Sequence, residues 1–183
     1  MKKEIFISVD IEADGPIPGD YSMLSIGACV VGSPDKSFYM ELKPISEKFD
    51  PEALRVCCFD RGVLINEATD PEKAMKEFSV WVDDICGDEY RPVFVAFNAT
   101  FDWMFVHWYL IRFAGRNPFG ISGLDIKAYY MGVLGKEFWA DTSKSRLDDR
   151  FLSSRLHTHN ALDDAREQAD IFMKIRKTAG FII

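Results

Sequence analysis

Residues 4–10, Glu4-Ile5-Phe6-Ile7-Ser8-Val9-Asp10, run straight into Ile11-Glu12, and this stretch decides how the rest of the chain reads. It is rich in β-branched and aromatic residues, apolar on both faces, and ends in charge. That pattern predicts a central strand whose C-terminal end carries carboxylates. Alternation along an extended chain puts Asp10 and Glu12 on the same side. Two carboxylates held side by side repel unless a cation lies between them. The C-terminal ends of central strands in open α/β sheets are also where ligands bind. From these residues alone, a solvated acid pair at a strand end remains an equal reading.

Working outward, Gly15-Pro16-Ile17-Pro18-Gly19-Asp20 reads as a loop. Residues 22–31 predict a second strand and Ser37–Leu42 a third, with Gly32-Ser33-Pro34-Asp35 as the turn between them, an antiparallel meander. Asp50-Pro51-Glu52 and Asp70-Pro71-Glu72 share one grammar, an Asp cap before Pro at the first helical position with acid in the first turn. After the second, Ala74, Met75, Phe78, Trp81, Val82 and Ile85 follow helical spacing as far as Gly87. Val93-Phe94-Val95-Ala96-Phe97 suits a buried parallel strand. A helix is expected through Phe101 to about Phe113, a short strand near Leu124-Asp125, and a helix over 126–133. Residues 140–158 read as polar and loop-rich, and a last helix runs from Asn160 to Lys177. This order predicts an α/β protein, with a mixed sheet of three antiparallel and two parallel strands covered by helices. No repeat or linker divides the chain, so residues 1–183 read as one domain.

Composition narrows the function classes. Hydrophobic residues make up 48% of the 183 positions, enough for a sizeable core. No apolar run approaches the ~18 residues that span a bilayer, and Asp10 and Glu12 interrupt the N-terminal apolar stretch too early for a signal peptide. A cytoplasmic location and no membrane association are the expectations. Cys29, Cys57, Cys58 and Cys86 lack paired C-x-x-C spacing and read as reduced thiols, the first, second and fourth in the core. The net charge of −7 disfavours a passive nucleic-acid binder with a basic surface. It is compatible with carboxylates that hold divalent cations and so present positive charge to phosphate.

Two further islands carry chemistry. In Phe97-Asn98-Ala99-Thr100-Phe101-Asp102-Trp103, Asp102 is the one acid of an apolar or small run at a helix opening. Alone, it reads equally as a first-turn acid behind an Asn98 or Thr100 cap. In His159-Asn160-Ala161-Leu162-Asp163-Asp164-Ala165, His159 and Asp164 bracket the first turn of the last helix, with His157 close by. Asp163 suits a solvated first-turn position, and Ala165 beside Asp164 suits close packing with the carboxylate turned inward.

In this order, Asp10-Ile11-Glu12, then Asn98-Ala99-Thr100-Phe101-Asp102, then His159 to Asp164, the islands resemble the DEDDh group of exonucleases. That group has an RNase H-like fold and includes RNase T, oligoribonuclease and the proofreading subunit of bacterial DNA polymerase III. The resemblance covers nearly the whole chain, and the spacing of His159 separates it from the tyrosine branch. One departure stands out. The group's Thr-Thr-Gly after the first motif is here Ala13-Asp14-Gly15, in a loop that contacts the terminal nucleotide in the group, so sugar and base preference are open.

The resemblance implies a 3′-5′ exonuclease releasing nucleoside monophosphates from 3′ ends of single-stranded DNA or RNA. It implies two Mg²⁺ ions, replaceable by Mn²⁺, on Asp10, Glu12, Asp102 and Asp164. His159 would be the general base, and a histidine titrates near neutrality. All five count as catalytic. Ala13, Asp14, Gly15, Asn98 and Phe101 are expected at the substrate. Met23 or Leu24 is expected to wedge a base, with Trp103 a further stacking candidate. Phe105 and Trp108 recur at helical spacing and read as core. Group members are often homodimers, which makes a homodimer the expectation, although no self-complementary stripe is identifiable. Three alternatives stand: an exoribonuclease restricted to RNA or short oligonucleotides, a non-catalytic nucleic-acid-binding module, and a phosphohydrolase of small nucleotides.

Overall fold

In the computed structural model, which describes residues 2–155 and 158–181, five strands form one mixed sheet. They are β1 (Lys3–Ala13), β2 (Met23–Val30), β3 (Ser33–Glu41), β4 (Tyr90–Ala96) and β5 (Gly123–Asp125), arranged β3-β2-β1-β4-β5. β1 pairs antiparallel with β2, and β2 with β3. β4 and β5 join in parallel on the other side of β1. β1 is therefore central, as its two apolar faces predict, and Ile7, Ser8 and Val9 are fully buried.

Among the described residues six α-helices surround the sheet: α1 (Pro51–Cys57), α2 (Arg61–Glu67), α3 (Pro71–Cys86), α4 (Ala99–Tyr109), α5 (Ile126–Leu134) and α6 (Ala161–Thr178). On one face, Ile7, Val9 and Ile11 of β1 meet Phe78 and Val82 of α3 and Phe105 and Tyr109 of α4. On the other, Cys29 and Val95 meet Tyr130 of α5 and Phe172 and Ile175 of α6. Among the described residues no helix is long and apolar enough to cross a membrane.

Local chemistry explains the boundaries. Asp50, Asp60 and Asp70 each accept backbone N–H groups at the starts of α1, α2 and α3. Three expectations shift. β3 begins at Ser33, so Ser33-Pro34-Asp35 belongs to the strand and the turn is tighter, with Gly32 at φ +83°. β3 is an edge strand, where a proline lacking its N–H is tolerated. α2 is a helix that apolar periodicity did not reveal. Finally, α4 ends at Tyr109 and continues as a π-helical turn over Leu110–Ala114 before Gly115. The described residues of the segment read as polar and loop-rich, 140–158, include three short 3₁₀ turns, the first beginning at Trp139. Cys29, Cys57 and Cys86 are buried and free, as expected, and Cys58 is exposed.

Candidate active site

The C-terminal end of β1 carries Asp10 and Glu12 between the N-termini of α4 and α6. α4 arrives directly from parallel β4. Asn98, exposed and in the left-handed region at φ +70°, turns the chain but makes no side-chain cap. The cap is instead borrowed from β5, since Ala99 N–H donates to Asp125 Oδ2 at 2.6 Å. Asp102, buried in the first turn of α4, then reaches β1, where its Oδ1 accepts Ile11 N–H at 3.1 Å. An acid that only supported its own helix would not make this contact.

α6 comes equally close because of Gly27. This residue sits opposite Asp10 in the β1–β2 register, and a Cβ placed on it would fall 2.2 Å from the Ala161 carbonyl carbon and the Leu162 nitrogen. Asn160 caps α6 through Leu162 and Asp163 N–H. Asp164 is buried, and its Oδ1 accepts Thr158 N–H at 3.1 Å. Asp163 is exposed and faces Arg166, as expected for a solvated first-turn acid. His159 is exposed and holds φ +55°, an uncommon conformation for a residue with a Cβ. Such local strain concentrates at functional sites. Ligand atoms of Glu12, His159 and Asp164 lie within 4.8 Å of one another. His157 falls outside the described residues.

The electrostatics follow from this crowding. Burial pushes the Asp10 carboxyl well above its ordinary range, and the charges of Asp102, Glu12 and Asp164 push it further. Burial, then Asp164 and Asp102, raise Glu12 to about 8. Burial raises Asp102 to about 7 against the pull of the Ile11 N–H bond. Four converging carboxylates, three of them so perturbed, require either protons or cations between them. Their hard oxygen donors fit Mg²⁺ or Mn²⁺.

The substrate-contact expectations fare unevenly. Met23 and Leu24 are corrected, because both side chains are fully buried, Met23 in the α3/α4 core and Leu24 against Cys57 and Leu64. Ala13, Asp14 and Gly15 are also buried. The Asp14 carboxylate is committed to the protein, accepting Ser22 N–H and pairing with the partly buried Arg61 guanidinium. These contacts organise the loop. Phe101 is half-buried against Phe105, and Trp103 packs edge-on to Phe94 and stacks on His107. Phe105 is core as expected, but Trp108 is only partly buried and stands beside Gly19. Three residues that the sequence did not single out now matter. Ile17 is 46% exposed on the loop after Glu12. Gln168 of α6 ties Phe97 N–H to Val9 O and Asp10 Oδ1. Arg61 anchors Asp14.

No family model matches the chain. It is 46% identical over 175 residues to the 3′-5′ DNA exonuclease Cap18 of Escherichia coli, covering 96% of this chain and 93% of that one. The nuclease domain of 3′hExo, a DEDDh family member solved with rAMP, superposes with a TM-score of 0.72 at 13% identity, covering 96% and 92%. The Mg²⁺- and Mn²⁺-bound form of S. pombe Pop2p gives 0.68 at 16% identity, covering 94% and 82%. These two structures establish the fold alone, and the identity to Cap18 over almost both full lengths establishes kinship. The chain belongs to the same family of 3′-5′ exonucleases as Cap18.

Proposed function

We propose that this protein removes nucleotides one at a time from the 3′ end of single-stranded DNA, with Asp10, Glu12, Asp102 and Asp164 holding two divalent cations and His159 acting as general base. The observation that carries the reading is the convergence of these residues at the end of β1, with raised proton affinity at Asp10, Glu12 and Asp102. Bound Mg²⁺, or Mn²⁺ in its place, would neutralise the phosphate, activate water and assist the leaving oxygen. The chain's own groups do the rest. His159, exposed beside Glu12 and Asp164, takes the proton of the attacking water. Gln168 holds Asp10 in place, and Ile11 N–H fixes Asp102.

Ile17 replaces Met23 and Leu24 as the candidate base wedge, being an exposed apolar side chain five residues beyond Glu12, on the loop that follows β1. Asn98 and Phe101, beside Asp102, would border the terminal nucleotide. DNA is favoured by the activity in the name of the Cap18 relative. The rAMP held by the 3′hExo domain supports RNA as the second substrate reading. The test is hydrolysis of matched 5′-labelled DNA and RNA strands with Mg²⁺, beside His159→Ala. The expected result is a ladder shortening from the 3′ end, faster on DNA and slowed roughly 10²–10⁴-fold in the variant. Shortening of RNA alone would overturn the DNA assignment.

A further inference from the structure

A cation stands at the edge of the carboxylate cluster on a segment the motifs do not include. Lys144 opens the short 3₁₀ turn Lys144–Arg146, between β5–α5 and α6. Its Nζ lies 2.7 Å from Glu167 Oε2 and 5.6 Å from the centroid of the Phe97 ring. Glu167 follows Asp164 by one turn of α6. Phe97 is joined through Gln168 to Asp10. The ammonium is thus framed by groups that touch or neighbour two site carboxylates, Asp10 and Asp164, and its field acts on both Asp10 and Asp102.

Stability alone does not account for this placement. The Lys144 side chain is 32% exposed, and partly exposed ion pairs contribute little. A compact ammonium on a flexible stem is, by contrast, a common phosphate ligand. At this site the anion to be met is a phosphodiester, which must lie against the same carboxylate ring.

We propose that Lys144 is a substrate-binding residue whose ammonium donates to a non-bridging oxygen of the 3′-terminal phosphodiester, with Glu167 aiming it while no strand is bound. This rests on the exonuclease reading above. Glu167 then acts as a positioning residue, and Lys144 arrives from a segment outside all three motifs.

The test measures binding of a 5′-fluorescein single-stranded DNA dodecamer in Ca²⁺, across a salt series, for the wild type, Lys144→Met, Lys144→Arg and Glu167→Gln. It is repeated with a neutral methylphosphonate at the 3′-terminal linkage. Lys144→Met should bind about tenfold more weakly. Its log Kd against log salt slope should be smaller by about 0.7, the loss of one phosphate contact on a single strand. Lys144→Arg should recover most of the affinity, and Glu167→Gln should lose less than Lys144→Met. On the methylphosphonate strand, wild type and Lys144→Met should bind alike. An unchanged slope overturns the proposal. So do equal losses of affinity and melting temperature in Lys144→Met and Glu167→Gln, which would mark a purely structural pair. Cleavage of the unmodified strand with Mg²⁺ is scored in parallel. A wild type that binds and cleaves while Lys144→Met does both equally well removes Lys144 alone, whereas a wild type that cleaves nothing removes the exonuclease reading and this proposal with it.

Discussion

Stripping divalent cations from the protein should make its stability fall as the pH rises toward 8. Glu12 is raised from 4.5 to about 8 by burial and by the charges of Asp164 and Asp102. Below about pH 4.5 this carboxyl is protonated in both the folded and the unfolded chain, and folding is indifferent to it. Between 4.5 and about 8 the folded chain keeps a proton that the unfolded chain releases, so stability is lost steadily as pH rises. Above about 8 the loss is complete. For Glu12 alone it amounts to on the order of 5 kcal/mol, and Asp102, at about 7, adds a loss of the same sign. In a chain of this size that corresponds to a melting temperature lower by roughly 10–20 °C. A cation at one hundred times its dissociation constant returns about 2.7 kcal/mol. The assay is thermal unfolding in EDTA from pH 5 to 9, repeated with Mg²⁺ or Mn²⁺, for wild type and Glu12→Gln. Glu12→Gln should melt higher than wild type in EDTA at pH 8 and gain less from the metal. A metal-free melting temperature that is flat from pH 5 to 8, or identical for the two proteins at pH 8, would refute the reasoning.

Three other substitutions probe the scaffold. Arg61→Met leaves the fully buried Asp14 carboxylate without its ion-pair partner. It should destabilise the protein by about 3–5 kcal/mol, read as a lower denaturation midpoint, and an unchanged midpoint would show that the pair is not needed. Gly27→Ala drives a methyl group into the backbone of Ala161 and Leu162. Displacing Asp164 by about 1 Å should cost on the order of a hundredfold in kcat, alongside a lower melting temperature, and full activity would contradict the role given to this glycine. Ile17→Ala should raise KM about tenfold with kcat little changed, the pattern of a lost base contact. A fall in kcat alone would argue against a wedge.

The sheet was legible because β1 is buried on both faces, and its sequence therefore carries no polar alternation. The carboxylate ends of β1 and α4 were legible because the acids interrupt apolar runs, and His159 and Asp164 at the start of α6 through the resemblance of their spacing to the group's third motif. Met23 and Leu24 were misplaced for the same reason in reverse. An apolar residue beginning a strand beside a functional loop reads alike whether it faces a base or the core, and only the packing of Tyr109, Cys57 and Leu64 decides. Asp14 looked free for substrate because its partner, Arg61, lies far along the chain on a short helix without apolar periodicity. Gly27 and Lys144 belong to no motif, and their importance comes from what α6 places against them. The sequence held one available cue for Ile17, an apolar side chain between prolines in a polar loop.

The central claim is that the carboxylates gathered at the end of β1 hydrolyse the 3′-terminal phosphodiester with a divalent cation. Its most direct test follows a 5′-labelled single-stranded DNA with purified wild type and Asp164→Asn, each with Mg²⁺ and with EDTA. The account predicts stepwise shortening from the 3′ end by wild type with Mg²⁺ only, and at least a hundredfold slower shortening by Asp164→Asn. Shortening that persists in EDTA, or proceeds unchanged in Asp164→Asn, would contradict it.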